Sequence, residues 1–184
     1  MYSLESYIKT YSLFSKDFCN KAIEELKKVE YEKGEYYNPT TKKTFSKKQE
    51  AEMTFDDFPS KKYIMKNLWH GIKKYISELK APYYNGWNGY SDIRINKYSK
   101  GQNFNFHCDH IHNLFDGQRK GIPVLSIVGV LNDDYTGGEF IMWKDKTIKL
   151  NQGDVLIFPS NFVYPHKVNS IKKGIRYSFV SWVW

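Results

Sequence analysis

Cysteine is scarce: Cys19 and Cys108 are the only two in 184 residues. That is too few for a disulfide framework and fits a reducing compartment. No stretch approaches the roughly 20 apolar residues that a membrane-spanning helix needs. The opening residues MYSLESYIKT lack the basic start and apolar run of a secretory signal, so the expectation is a cytoplasmic protein with no membrane attachment. A long basic run is also missing. The net charge is +8, but the lysines are spread along the chain and interleaved with acids, which reads as solvated surface and not as a nucleic-acid interface. Arginine is rarest among the charged residues: of 28 basic residues only Arg94, Arg119 and Arg176 carry a guanidinium. Those are the positions to ask about wherever a planar, bidentate fork is needed.

What is present is core material. Hydrophobic residues make up 41% and aromatics 17% of the chain, which excludes a disordered polymer. The length suits one domain, read as residues 1–184 with a helical support over 1–82 and a sheet-rich core over 90–184. Ser15 can cap a helix bearing Phe18, Ala22, Leu26 and Val29 on one face, ending near Gly34. Residues 35–60 read as loop or short irregular strands. From Ser60 the apolar positions Ile64, Leu68, Ile72, Tyr75, Ile76 and Leu79 fall at helical spacing up to Pro82. His70 sits beside that stripe and reads as structural. Beyond YYNGWNG the pattern becomes short strands separated by turn residues, at 91–98, 102–109, 123–131, 138–143, 147–150, 154–158, 163–168 and 174–184. Eight such strands after helices predict an α+β jelly roll, a double-stranded β-helix, with the N-terminal helices packed on one sheet. The adjacent Asp133 and Asp134 lie among glycines and read as turn formers.

The chemistry concentrates in NFNFHCDHIHN, residues 103–113. Strand alternation puts Asn103, Asn105, His107 and Asp109 on one face and Phe104, Phe106, Cys108 and His110 on the other. An imidazole and a carboxylate two residues apart can converge on one cation, as two parts of a 2-His-1-carboxylate site. A single H-x-D is common, and by itself the chance reading is the stronger. For a third ligand, His110 lies on the wrong face and His112 needs a bend to return. His166 follows GDVLIFPSNFVYP, at the start of a strand that a jelly roll can bring back beside His107. Farther on, Arg176, Ser178, Val180 and Trp182 share a strand face in GIRYSFVSWVW. If that face looks inward, the guanidinium needs an anionic partner. A carboxylate on a bound small molecule supplies one, with the Ser178 hydroxyl adding a hydrogen bond.

These residues resemble the iron(II) and 2-oxoglutarate dependent oxygenases, and within them the prolyl 4-hydroxylase group. The resemblance runs from about Ile93 to Trp184 through YSKGQNFNFHCD, GQR at 117–119, VLNDDYTGGEF, GDVLIFPS, His166 and Arg176. It implies that His107, Asp109 and His166 bind Fe(II) and that Arg176 grips the far carboxylate of 2-oxoglutarate with help from Tyr98 and Ser178. It also implies that Arg119 and Trp182 border a peptide site. Oxygen would convert the cosubstrate to succinate and carbon dioxide as a C–H bond is hydroxylated, with ascorbate as an accessory reductant. The implied substrate is a proline-containing peptide or protein, with YYNGWNG and 35–60 as lids over it; the alternative is the same chemistry on another peptide residue or a free small molecule. The chain departs from relatives that carry lysine at the Arg176 position, tyrosine at Val130 or a hydroxyl residue at Phe140. Two other classes compete. A zinc hydrolase could use the His/Asp cluster but leaves Arg176 and Ser178 without work. A non-catalytic binding jelly roll makes the convergence of ligands an accident.

Overall fold

The computed structural model describes residues 3–38, 41–47, 49–81, 84, 86–109 and 123–184. Its first half comprises β1 (Lys9–Ser12), α1 (Lys16–Leu26), β2 (Glu32–Lys33), β3 (Glu35–Asn38), β4 (Lys43–Ser46), β5 (Glu52–Thr54) and α2 (Lys61–Leu79). The second half begins with β6 (Arg94–Tyr98), β7 (Phe104–His107), β8 (Leu125–Val130), β9 (Thr136–Gly137) and β10 (Phe140–Met142). It closes with β11 (Lys146–Ile148), β12 (Asp154–Pro159), β13 (His166–Val168), β14 (Ile171–Lys173) and β15 (Arg176–Val183).

Both expected helices form for the reasons legible in the chain. Ser15 Oγ accepts from the Phe18 N–H at 3.2 Å, satisfying one of the orphan donors at the start of α1. Cys19, Ala22 and Leu26 are its buried stripe. On α2 the stripe is Ile64, Leu68, Ile72 and Tyr75, and Lys80 ends the helix in the left-handed region at φ 46°. One boundary differs from expectation. α1 ends at Leu26 and not near Gly34, because the chain turns back to lay β2 against β5. The Tyr31 hydroxyl donates to the Leu26 carbonyl at 3.1 Å, which caps the shortened helix.

The sheets form two layers. The large one runs β1-β12-β8-β15-β6-β5-β2 and the small one β11-β10-β13-β7, with antiparallel pairing throughout. The eight strands β6, β7, β8, β10, β11, β12, β13 and β15 correspond to the eight expected from the sequence. They alternate between the layers except at β10 and β11, which pair as a hairpin within the small sheet, the arrangement of a double-stranded β-helix. The first half is less purely helical than expected, since β1, β2 and β5 extend the large sheet.

Alternation along the strands divides the core in two. Leu26, Ile64, Leu68 and Tyr75 of the helices pack with Ile95, Ile127, Ile157 and Phe179 on the outer face of the large sheet. Tyr98, Val128, Phe140, Leu156, Phe158 and Val168 fill the space between the sheets. The two segments expected as lids are held in part by backbone pairing. The described part of YYNGWNG is tied to the C-terminal strand, with Asn88 N–H donating to the Trp184 carbonyl at 2.7 Å and Trp184 N–H to Gly89 at 3.1 Å. Within 35–60, β3 pairs with β4 as a hairpin and β5 joins the large sheet. Among the described residues, no helix is long and apolar enough to cross a membrane.

Candidate active site

β7 and β13 are neighbours in the small sheet, and His107 and His166 are register partners. Their rings lie 4.4 Å apart, centroid to centroid. Asp109 follows the end of β7, and its Oδ1 is 3.4 Å from His107 Nε2 and 3.9 Å from His166 Nε2. One ligand atom from each residue falls within 4.8 Å of the other two, and among the described residues this is the group able to hold a metal ion.

The neighbours fix the chemical form of each member. His107 Nδ1 is 2.8 Å from the Asn105 carbonyl and His166 Nδ1 is 3.0 Å from the Tyr164 carbonyl. A carbonyl only accepts, so each Nδ1 carries the proton and each Nε2 presents its lone pair toward the cluster centre. Asp109 Oδ2 accepts from the Ser126 hydroxyl at 2.6 Å, which turns Oδ1 inward. Burial acts to raise the Asp109 pKa. Against it, the Ser126 bond acts in any state, and whenever the rings take up a second proton on Nε2 in the metal-free site, His107 donates to Asp109 and the two positive rings favour the carboxylate, so that together they hold the carboxyl well below the usual range. Burial lowers the His166 pKa against the pull of Asp109. Phe140 stacks on the His166 ring at 5.1 Å and Phe158 meets it edge-on at 5.1 Å, leaving the imidazole little freedom to turn.

Strand parity needs one correction. Asp109 lies beyond the strand, and the pairing slips between His166↔His107 and Val168↔Phe104. Two residues of β7, Asn105 and Phe106, thus oppose the single Lys167 of β13, a β-bulge. The bulge brings Phe104 to the same side as His107, with ring centroids 4.5 Å apart, and Phe104 lines the site cavity.

For β15, alternation holds. Arg176, Ser178, Val180 and Trp182 all line the cavity that contains the His/Asp cluster, while Tyr177, Phe179 and Val183 face the helices. Arg176 is only 1% exposed. Its Nη1 donates to Ser178 Oγ at 2.7 Å and its Nε to the Tyr135 hydroxyl at 3.1 Å. Its guanidinium carbon sits 5.0 Å from the Tyr98 ring centroid. These partners are neutral, and no ion pair joins Arg176 to a carboxylate among the described residues. A buried cation with neutral partners suits an incoming anion. Burial raises the Tyr98 pKa, opposed by the charges of Arg176 and Arg94, so the phenol remains a neutral donor. Val130 and Phe140, two positions that depart from relatives, line with Arg176 an adjoining cavity of about 330 Å³, and Phe140 and Arg176 also border the cavity of the His/Asp cluster.

Tyr135, Ser126, Arg94 and Asn96 were missed as site residues. Tyr135 sits in a segment read only as turn. Arg94 and Asn96 share alternation with Tyr98 on β6, a signal that could have found them. Arg119, His110 and His112 lie outside the described residues. His70 is exposed on α2 against the Trp69 ring, away from the cluster.

The 2OG-Fe(II) oxygenase superfamily matches residues 93–184, half of the chain. A PKHD-type hydroxylase of Idiomarina loihiensis is 32% identical over 94 residues, covering 50% of this chain and 41% of that protein. Another, from Prochlorococcus marinus, is 32% identical over 123 residues and covers 65% and 54%. The chain thus spans about half or less of the length of these curated relatives. Among solved structures, the viral collagen prolyl hydroxylase of Paramecium bursaria Chlorella virus-1, in a 2OG complex, superposes with TM-score 0.69 at 16% identity, covering 96% of this chain and 94% of that one. A Trichoplax adhaerens prolyl hydroxylase in complex with a hypoxia inducible factor peptide fragment gives TM-score 0.69 at 16% identity, covering 97% and 83%. At such identity the likeness is one of fold.

Proposed function

Because the chain belongs to the 2OG-Fe(II) oxygenase superfamily, we propose that it is an iron(II)- and 2-oxoglutarate-dependent dioxygenase that hydroxylates an unactivated C–H bond, with peptidyl proline as its target. Residues 1–184 act in this reading as one oxygenase domain. The observation that carries it is the pairing of two features in one cavity, a His/Asp/His cluster with its lone pairs turned inward and a buried arginine held by neutral partners.

The residues fit the groups that the family implies. Two imidazole nitrogens and one carboxylate oxygen are the donor set of a facial triad for Fe(II), which leaves coordination positions for a 2-oxoacid and oxygen. When bound, iron and 2-oxoglutarate supply the oxidation, in which oxygen and the 2-oxoacid yield succinate, carbon dioxide and a hydroxylated carbon. The chain's own contribution is placement. His107 Nε2, His166 Nε2 and Asp109 Oδ1 hold the metal, and Ser126 keeps Asp109 turned toward it. Arg176 receives the far carboxylate, with Ser178 and Tyr98 beside it, and Tyr135 fixes the guanidinium from behind. The metal-side cavity, bordered by the part-exposed Phe104 and Trp182, shares Arg176 and Phe140 with the larger adjoining cavity. Trp182 borders the substrate, as Arg119 does in the resemblance. A proline-containing peptide suits such a mouth because its stiff backbone loses little entropy on binding. A zinc hydrolase would leave Arg176 without a function.

Anaerobic titration of the protein with Fe(II) and then 2-oxoglutarate tests the class. A visible metal-to-ligand charge-transfer band that needs both additions is expected, and its absence with both present overturns the assignment. A gain of one oxygen on proline in a proline-rich peptide, dependent on iron, oxygen and 2-oxoglutarate, tests the substrate. Trp182→Ala should reduce that turnover more than it reduces 2-oxoglutarate binding. A broad prolyl panel left unmodified while a non-peptide compound is hydroxylated would remove proline and keep the oxygenase.

A further inference from the structure

Arg176 borders two cavities. One holds the His/Asp cluster, and the other, of about 330 Å³, adjoins it with Phe140 as the second shared wall. A ligand that runs from the cluster to Arg176 therefore passes beside the larger cavity. Its volume falls at the lower end of the roughly 300–1,000 Å³ of small-molecule sites. The two methylenes of 2-oxoglutarate each have about the bulk of a water, roughly 30 Å³, and leave most of that space unfilled.

The walls are fixed by pairing and packing. Val130 on β8 is in register with Ser178 on β15, and Phe140 faces Ile148 across β10 and β11. The Phe140 ring is also stacked on His166 at 5.1 Å. On the opposite side Arg176 is held by Ser178 Oγ and by the Tyr135 hydroxyl. Gly138, at φ 68°, lets the chain close in behind that pair: a Cβ there would stand 3.0 Å from the Tyr135 ring and 3.2 Å from Arg176 Cδ. Side chains anchored in this way relax only partly into a void, so the space persists.

The polarity of the lining decides what the space takes. Val130, Phe140, Ile148 and Leu150 give it an apolar wall, against which methylene groups gain by leaving water. The guanidinium of Arg176 has five N–H donors and neutral hydrogen-bond partners, so it keeps donors for an anion. The two acids of the lining are bonded elsewhere: Asp133 Oδ2 accepts from the Gln152 N–H at 3.2 Å and Glu139 Oε2 from Asn169 Nδ2 at 3.1 Å. An aliphatic chain that ends in a carboxylate matches this pattern, with the carboxylate on Arg176 and the slack of the chain against the apolar wall.

Resting on the oxygenase reading above, we propose that this cavity sets the cosubstrate selectivity, and that the protein accepts a 2-oxo diacid one methylene longer than 2-oxoglutarate. In 2-oxoadipate both ends keep the places assigned to them in 2-oxoglutarate, and the additional methylene bows into the space between Val130, Phe140 and Ile148. A close-packed pocket rejects such a group, because it forces neighbouring side chains off their rotamers. Oxygen then converts 2-oxoadipate to glutarate and carbon dioxide, one oxygen atom entering glutarate and the other the hydroxylated carbon.

The test measures binding of the two diacids by calorimetry to the Mn(II)-loaded protein without oxygen. Wild type is compared with Val130→Phe and Ile148→Trp, which fill the cavity from different strands. A methylene in a close-fitting apolar pocket changes affinity by roughly 10–200-fold. The wild type should instead hold 2-oxoglutarate and 2-oxoadipate within roughly ten-fold of each other, and each filled variant should weaken 2-oxoadipate relative to 2-oxoglutarate by roughly ten-fold or more. 2-Oxohexanoate, with a methyl in place of the far carboxylate, should bind roughly ten-fold or more below 2-oxoadipate, the range of a lost charged hydrogen bond. A wild type that favours 2-oxoglutarate by more than roughly ten-fold overturns the proposal and leaves the oxygenase reading standing. So does an unchanged ratio in the filled variants, or equal binding of 2-oxohexanoate. If 2-oxoglutarate itself does not bind, both readings fall. The wild-type comparison needs neither turnover nor a variant, so it decides the question even if a filled protein does not fold.

Discussion

His107 and His166 face each other as register partners across β7 and β13, with ring centroids 4.4 Å apart. Both Nε2 atoms turn toward Asp109 because each Nδ1 is tied to a backbone carbonyl. Alanine at His107, Asp109 or His166 should therefore abolish Fe(II) binding and iron-dependent turnover while the protein stays folded. Iron content after anaerobic loading and the circular dichroism spectrum are the measurements. Loss of iron in His112→Ala with retention in His166→Ala would show the ligand set to be wrong.

Ser126 touches no proposed ligand except Asp109, whose Oδ2 accepts its hydroxyl at 2.6 Å. Groups that orient a ligand typically cost 10–100-fold in metal affinity when removed. Ser126→Ala should weaken Fe(II) by roughly ten-fold or more, with Ser126→Thr closer to the wild type. A competition titration against a chelator reads this directly, and equal affinities in the alanine variant and the wild type would count against the orienting role.

Arg176 is assigned to the cosubstrate and not to the metal. Arg176→Ala should weaken 2-oxoglutarate by roughly ten- to a hundred-fold, the range of a lost charged hydrogen bond, and leave Fe(II) binding alone largely intact. Arg176→Lys keeps the charge, loses the fork and should fall between. Unchanged 2-oxoglutarate affinity in the alanine variant would remove Arg176 from this role.

Gly129 of β8 lies directly across from Phe179 of β15. A Cβ there would come within 1.9 Å of the Phe179 ring, and that ring is fully buried in the core beneath the helices. Gly129→Ala should destabilise by about 1–3 kcal/mol, as overpacking does. For a chain of this size that is a fall in Tm of roughly 2–12 °C. Pairing the change with Phe179→Leu should recover part of the loss, and a Tm unaffected by Gly129→Ala would contradict the contact.

Alkaline pH should loosen the N-terminal segment first. The Tyr75 hydroxyl donates to the Tyr7 carbonyl at 2.8 Å and that of Tyr164 to the Leu4 carbonyl at 3.0 Å. Burial, with Tyr7 adding to it, pushes the Tyr164 phenol up to about 12, and burial raises Tyr75 beyond the usual tyrosine range. An unfolded tyrosine ionises near 10. The folded state thus holds these protons more tightly, a contribution that is complete below about pH 10, lost for Tyr164 as the pH rises through about 12 and for Tyr75 only at higher pH. Denaturant titrations from pH 8 to 11.5 should show stability declining above about pH 10, with a shallower decline in the Tyr75→Phe, Tyr164→Phe double variant. An identical slope in that variant would place the alkaline sensitivity elsewhere.

Periodicity and alternation are local properties, so the sequence by itself determined the two helical stripes, the eight short strands and the common face of Arg176, Ser178, Val180 and Trp182. The same logic made His107, Asp109 and His166 a candidate set, since a jelly roll returns its seventh core strand beside its second. Alternation failed where pairing between distant strands overrode it. The bulge that moves Phe104 to the side of His107 exists only because β13 opposes two residues of β7, Asn105 and Phe106, with the single Lys167. α1 stopped at Leu26 because β5 offered β2 an edge, which no propensity within α1 encodes. Tertiary structure alone decided that Ser126 reaches Asp109, that Tyr135 reaches Arg176, and that Arg94 settles on Trp182. Each is a contact between residues far apart in the chain. Their side chains meet only because the roll brings their strands and turns to one cavity, and burial there gives polar groups a strong reason to pair.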